Sequence, residues 1–320
     1  MRKRGKLLGA AIALSSVLVL GACGNTADKE TQETTTASSV AKDRVLTDTL
    51  GNEVTIPAKP ERIIASYLED YLVALDTIPV AQWTVNDSSI QTYLQDELKD
   101  IPTIDFSLPY EEVLGFEPDL LLIGSSSTVE GGKYEEYAKI APTYVVKNGE
   151  DVNWRDQLTD IATVLDKEDQ AKEVISDYET LASDTKKELD DNVKEQSAAV
   201  LWVVNNSIFM VTDSRSSGTV LYGDLGLEEP ALVEEVSKEA TADWNPVSLE
   251  KLAELDADAI FLVNSDTSAP LFQEDIWKNL NAVKNDNVHE FDGDSSWLYN
   301  GPIANTNIIE DVKASLLEAK

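Results

Sequence analysis

Few residues of this chain are of a type that does chemistry. Of 320 residues one is His and one is Cys, against 59 Asp and Glu. That excludes an internal disulfide, Cys-rich zinc and iron–sulfur sites, and a Cys–His nucleophile. His289 sits in the strand-like run Val288-His289-Glu290-Phe291 and reads as structural, so metal capture by several imidazoles is excluded too. There is no G-x-S-x-G elbow, no phosphate loop ending in Gly-Lys-Ser/Thr and no H-E-x-x-H, which leaves an enzyme only carboxylate pairs to work with. What remains is one well-placed base and a set of aromatic rings. Arg215 lies in the polar loop Thr212 to Gly218, after a strand pattern, where loops of α/β sheets face clefts. Its planar fork suits a cluster of ligand oxygens or an internal salt bridge, and both readings stand. Tyr67, Trp83, Tyr222, Trp244, Trp297 and Tyr299 lie near predicted loops or strand ends and offer broad apolar faces with a polar handle. Each suits a bulky ligand or a core. Trp297 and Tyr299 stand out because Asp294 to Pro302 otherwise reads as loop. Ser125 to Thr128 follow a strand pattern and are placed to line a cleft or make a turn.

The elements that must position these residues show as short apolar runs alternating with helical patterns. Arg62 to Ser66, Pro79 to Trp83, Asp119 to Gly124 and Tyr144 to Val146 read as strands in the first half. Ala198 to Val204, Ile208 to Val211 and Asp258 to Val263 do so in the second. Continuous apolar strands between helices indicate parallel sheets covered on both faces. Residues 168–190 differ: Ala171, Val174, Ile175, Tyr178, Leu181, Ala182 and Leu189 recur at helical spacing with no Gly or Pro. Such a helix is about 35 Å long, enough to run between two lobes. Asn305 to Leu317 reads as a final helix. The halves also echo each other. Tyr110 to Ile123 and Leu249 to Leu262 each give a short amphipathic helix with an early Glu (Glu111, Glu250), then an Asp (Asp119, Asp258), then an apolar strand. This favours duplicated α/β lobes. A first-turn Glu below Ser107 or Ser248 also suits a helix N-terminus.

The first segment reads as an address. Arg2 to Lys6 are basic and Leu7 to Leu20 are apolar but short for a membrane span. The junction Leu20-Gly21-Ala22-Cys23 resembles the bacterial lipobox, in which the cysteine is lipidated, and Cys23 is the only cysteine. Acyl chains anchor a domain at about 0.8 kcal/mol per buried CH₂. Gly24 to Lys42 lack aromatic residues and apolar bulk and read as a tether. Four of the 26 Lys and Arg fall in residues 1–22, which leaves 22 bases against 59 acids and argues against nucleic-acid binding.

With these features in place, the chain is similar to the solute-binding lipoproteins of ABC importers, and more specifically to the iron-siderophore and vitamin B12 binders. Asp48 to Ile64 resembles their opening hairpin and first strand, and Glu117-Pro118-Asp119 with the apolar run after it resembles a first-lobe strand. Leu221 to Leu227 and Trp277 to Val288 resemble parts of the second lobe, so the likeness covers 44–317. It implies an α/β fold of two Rossmann-like lobes joined by a single long backbone helix, the helical-backbone periplasmic binding protein fold. The expected organisation is a lipoprotein signal peptide at 1–22, a lipidated tether at 23–43, an N-terminal lobe at 44–166, the connecting helix at 167–193 and a C-terminal lobe at 194–320. The implied function is capture of a ferric siderophore, with no cofactor and no direct metal ligand. The implied partners are a permease and its ATPase, reached by a monomer anchored through Cys23 to the membrane, on a Gram-positive surface. Glu111 and Glu250 match the acidic pair that docks the two lobes onto permease arginines. Tyr67, Trp83, Arg215, Tyr222, Trp244, Trp297 and Tyr299 are the expected ligand contacts. A catecholate needs several cations and only Arg215 is well placed, so charge favours a neutral ferric hydroxamate. Catecholate, haem and B12-like ligands stay open in the same fold, and an extracellular enzyme or a passive adhesin are the rival classes.

Overall fold

The computed structural model describes residues 42–86, 89–149, 151–193, 196–240 and 242–318. The signal expected at 1–22 and the tether expected at 23–43, except its last two residues, lie outside the described residues, Cys23 included. Among the described residues no helix is long and apolar enough to cross a membrane.

The chain opens with an antiparallel hairpin, β1 (Arg44–Thr47) and β2 (Glu53–Ile56). Its turn is held by Asp48, whose Oδ1 accepts the N–H groups of Leu50 and Asn52 at 2.9 and 2.8 Å. The next strands are β3 (Ile63–Ile64), β4 (Gln82–Thr84), β5 (Thr103–Asp105), β6 (Leu120–Ile123) and β7 (Thr143–Val145). β3, β6 and β7 are parallel, as are β4 and β5, and a parallel bridge from Ile64 to Ala81 joins the two groups. The order is therefore β5-β4-β3-β6-β7. Leu120 to Ile123 are buried throughout, as expected for a strand covered on both faces. Helices α1 (Glu69–Ala74) and α2 (Tyr110–Gly115) follow β3 and β5.

Two helices then follow. α3 (Trp154–Leu165) starts with a capping box, in which the Asn153 side chain accepts from Arg155 and Asp156 N–H while Asp156 accepts from Asn153 N–H. It ends at Asp166, in the left-handed region at φ 59°. α4 (Glu168–Asn192) is the connecting helix, 25 residues, buried along the face that carries Ala171, Tyr178, Ala182, Thr185 and Leu189. Behind the lobes Arg155 stands over the rings of Trp154 and Tyr178 at 4.6 and 5.0 Å. It bonds Asp224 at 3.1 Å, and the Tyr178 hydroxyl donates to the same carboxylate at 2.7 Å.

The second sheet contains β8 (Ala198–Val204), β9 (Ser207–Val211), β10 (Trp244–Val247), β11 (Ala259–Asn264) and β12 (Val288–Asp292), in the order β10-β9-β8-β11-β12. β8, β11 and β12 are parallel, and β9 is antiparallel to both of its neighbours. The sequence pattern did not mark β10, which contains Pro246; proline lacks an N–H and is confined to edge strands such as this one. α5 (Leu249–Leu252) precedes β11 and α6 (Pro302–Lys313) closes the fold.

The internal echo has a structural counterpart. Asp119 accepts the N–H groups of Glu61 and Arg62 at 2.8 and 2.9 Å, just ahead of β3. Asp258 accepts the N–H of Ser197 at 3.0 Å, just ahead of β8. In each lobe the Asp opening one parallel strand ties down the start of its neighbour. Ser248 caps α5 by accepting the Lys251 N–H at 3.2 Å. Ser107 does not cap α2, because its hydroxyl is turned to Asp105 at 2.5 Å.

One apolar core runs through both lobes, from Val54 and Ile56 through Trp154 and Tyr178 to Phe261, Trp297 and Leu316. Trp297, expected in a cleft-facing loop, is fully buried. Its ring stacks on Phe261 and Phe291 at 5.0 and 4.9 Å, and its Nε1 donates to Asp311 at 2.8 Å. Phe261 and Phe291 lie on β11 and β12, so the sheet draws the indole inward. Trp297→Ala should therefore lower unfolding free energy by about 3–5 kcal/mol in urea titrations, as expected for deletion of a buried aromatic ring.

Candidate functional site

A cavity of about 390 Å³ opens between the lobes. The first lobe supplies most of its wall: Tyr67 after β3, Trp83 on β4, Phe106 after β5, and Ser125 and Thr128 after β6. The second lobe closes it with Asp243 and Asn300. The wall thus sits at the C-terminal ends of parallel strands, where α/β sheets bind ligands.

Tyr67 is the most unusual of these residues. It is a bulky residue held at φ 64°, and 47% of its surface is exposed. A non-glycine residue in the left-handed region costs of order 1–3 kcal/mol and persists where its surroundings enforce it. Its ring lies 4.9 Å from Trp83 and 6.0 Å from Tyr299, which in turn lies 5.3 Å from Tyr93. The Tyr299 hydroxyl donates to the Ile90 carbonyl at 3.1 Å, and burial raises its pKa to about 12. Phe106, 55% exposed, adds a further ring. Hydroxyl and amide groups of Ser66, Ser125, Thr128, Gln157 and Asn300 are set among the rings. Asp243 is the only Asp, Glu, Lys, Arg or His among the described residues of the wall.

The expected contacts divide accordingly. Tyr67 and Trp83 line the cavity, and Tyr299 packs behind Tyr67. Arg215 stands one step back, its guanidinium 3.6 Å from Asp243. Trp244, next to Asp243, packs against Trp202 at 5.9 Å and against the core. Two residues lie away from the cavity. Tyr222 packs against the core and donates its hydroxyl to Ala198 O at 2.8 Å, because its helical turn turns the ring toward β8. Trp297 is sealed by the aromatic stack described above. Glu111 and Glu250 are both exposed, in the first turns of α2 and α5. His289 stacks on Phe261 at 5.4 Å and contacts Asn287 at 3.0 Å, and burial lowers its pKa. Phe106, Asp243 and Asn300 come from separate loops and Gln157 from the first turn of α3, with no shared spacing that would have marked them.

Behind Tyr67, α1 begins with two buried acids. Glu69 is 1% exposed; its Oε1 accepts the Trp83 N–H at 2.6 Å, and its Oε2 has no hydrogen-bond partner among the described residues. Burial raises its pKa to about 8. Asp70, also 1% exposed, accepts from Tyr93 Oη at 2.8 Å, Ile303 N at 2.9 Å and Ala304 N at 2.8 Å. Burial raises its pKa to about 6 against these hydrogen bonds.

The sequence profile of the family described as "Periplasmic binding protein" matches residues 65–294. The chain belongs to that family. Among curated relatives, the probable siderophore-binding lipoprotein YfiY of Bacillus subtilis is 29% identical over 97% of each chain. The iron(3+)-hydroxamate-binding protein FhuD of the same organism is 27% identical over 97% of this chain and 98% of its own. Among solved structures, the FhuD protein from S. pseudintermedius superposes with a TM-score of 0.72 at 22% identity, covering 86% of this chain and 98% of that one. The two lobes joined by one long helix are thus the fold of this periplasmic binding protein.

The Glu69 carboxyl makes the fold sensitive to base. Its folded pKa is raised from 4.5 to about 8, so its contribution to stability is complete below 4.5 and is lost as pH rises through about 8. Unfolding free energies from urea titrations should fall between pH 5 and 8, at up to about 1.4 kcal/mol per pH unit from this group. Glu69→Gln, which keeps an acceptor for the Trp83 N–H, should flatten that fall.

Proposed function

We propose that this periplasmic binding protein is the substrate-binding component of an ABC importer and that it captures a ferric hydroxamate siderophore in the cavity between its lobes. The observation that carries the reading is the composition of the wall: aromatic faces, neutral hydrogen-bonding groups and one carboxylate. A ferric trihydroxamate is a bulky, neutral chelate with an apolar outside and a rim of oxygens. Its methylene chains lie against Tyr67, Trp83 and Phe106, and the hydroxyls and amides of Ser66, Ser125, Thr128, Gln157 and Asn300 donate to its oxygens. Aromatic contact of this kind combines large buried area with polar tips. A tris-catecholate carries three negative charges into a wall whose fixed charge is Asp243. Like charges at about 4 Å repel by about 4 kcal/mol at an effective dielectric of 20. Arg215 is drawn toward Asp243 at 3.6 Å, which offsets part of that field without providing the several cations a catecholate needs. The hydroxamate and siderophore names of the relatives agree with this chemistry.

Delivery follows from the rest of the chain. Cys23 carries the lipid that holds the protein at the outer face of the membrane. Glu111 and Glu250 dock one lobe each onto the permease; their exposure and matching placement ahead of β6 and β11 support this role. Charged pairs at two separated points set register and encounter rate more than affinity.

Tryptophan-fluorescence titration should show saturable binding of ferrioxamine B or ferrichrome and weaker binding of a ferric tris-catecholate; tighter binding of the catecholate would overturn the assignment. Tyr67→Ala and Trp83→Ala should each weaken the hydroxamate by about tenfold, the loss expected for one aromatic contact. Separately, Glu111→Ala with Glu250→Ala should leave ferrioxamine affinity unchanged and abolish iron uptake in cells. A loss of affinity in that double variant would reject the docking role.

A further inference from the structure

Behind the site the two walls of the cavity meet at the Asp70 side chain, beside the Tyr299 contacts with Tyr67 and Ile90. Tyr67 lies three positions before Asp70, on the first lobe. Asn300 lies three and four positions before Ile303 and Ala304, whose N–H groups point at the Asp70 carboxylate from 2.9 and 2.8 Å. These are orphan donors of the first turn of α6, a 12-residue helix, where a carboxylate is favoured by both hydrogen bonding and the helix dipole. The Tyr93 hydroxyl supplies a third donor at 2.8 Å. The approach is close because of Gly301: a Cβ there would lie 2.5 Å from both Cγ and Oδ1 of Asp70. Gly301 has φ 165°, an extended conformation open to any residue, so contact with Asp70 is what calls for glycine.

We propose that Asp70 is a positioning residue, whose carboxylate clamps the start of α6 to the first lobe and so fixes the cleft between Tyr67 and Asn300. The inference deepens the reading above and rests on it for the ligand.

All three groups donate hydrogen bonds to Asp70, so the clamp is complete only when the carboxylate is ionised. The titratable groups around it are Glu69 and Tyr71 on its own helix and Tyr93 from the segment after β4, with Tyr67 and Tyr299 beyond. The tyrosines stay neutral below pH 8, and Glu69, at about 8, already holds its proton at pH 7. Between pH 7.5 and 5 the proton taken up within this cluster goes chiefly to Asp70, at about 6. Its folded pKa is raised from 3.8, so its contribution to stability is fully present below 3.8 and is lost as pH rises through about 6. Acid thus loosens the clamp without this group weakening the fold.

Affinity for ferrioxamine B, measured by tryptophan fluorescence, should fall about tenfold from pH 7.5 to pH 5, the worth of one charge-assisted hydrogen bond. Asp70→Asn should bind about tenfold more weakly at pH 7.5 and show no further fall in acid. Gly301→Ala, which leaves every titratable group in place and only forces the two segments apart, should weaken binding comparably. Unchanged affinity in both variants at pH 7.5 would overturn the proposal. Amide exchange at Ile303 and Ala304, corrected for the intrinsic rate, tests the clamp without ligand. Protection should drop below pH 6 in the wild type and be low at every pH in Asp70→Asn. Equal protection in the two proteins would reject the clamp, whereas the expected exchange with no ferric chelate bound would reject the ligand assignment and leave the clamp standing.

Discussion

The constraint on which the structure depends is that its two sheets share one apolar core along α4 and α6. The cluster that contains Val54, Leu72 and Leu122 of the first lobe also contains Val200, Phe261 and Ile309 of the second. Separating the lobes would expose these side chains, at about 1.5–3 kcal/mol for each large one. A lobe pair joined only by loops can swing widely around its ligand. A pair that buries a common core against a continuous helix moves by small shear or rotation instead. The cavity must therefore be largely formed before its ligand arrives. The enforced left-handed backbone of Tyr67 and its contacts with Trp83 and Tyr299 belong to such a preorganised wall.

Much of this frame is legible in the sequence because it is written in local periodicities. Leu120 to Ile123 and Ala259 to Asn264 are apolar without alternation because both of their faces are covered. Ala171, Tyr178, Ala182 and Leu189 repeat at helical spacing because one face of α4 is buried along its length. The cavity wall is less legible. Tyr67 and Trp83 stand out as aromatic residues at strand ends, but Asp243, Asn300 and Phe106 reach the site only through the packing of separate loops. Trp297 misleads for the same reason in reverse. Its neighbours in sequence are loop-like, while Phe261 and Phe291, which decide its position, are on distant strands. Glu69 and Asp70 look like ordinary first-turn acids of a helix. Nothing local says that one reaches back to Trp83 and the other crosses to α6.

That pair raises the question of why buried carboxylates sit behind a binding site at all. Apolar residues of similar volume often stabilise a fold more than buried charges do, because desolvation outweighs the interactions gained. Apolar packing tolerates small slips, however, whereas a carboxylate with three converging donors has one satisfied geometry. Glu69 fixes the strand that carries Trp83, and Asp70 fixes the turn that carries Asn300. The cost in stability is spent on the relative placement of the two walls, which the Tyr299 contacts with Tyr67 and Ile90 also join.

Net charge completes the argument about selectivity. With 26 basic and 59 acidic residues the whole molecule sets up a negative field, screened beyond about 8 Å in physiological salt but less so in a partly enclosed cleft. Asp243 lies inside the screening distance of anything in the cavity, and Arg215 offsets it only in part. On the reading proposed above, an anionic chelate is opposed both on approach and on arrival. A neutral one meets neither barrier, and the aromatic wall then decides affinity through contact area. On that reading, selection among iron chelates rests on rejection of charge by a wall whose described residues include no Lys or Arg.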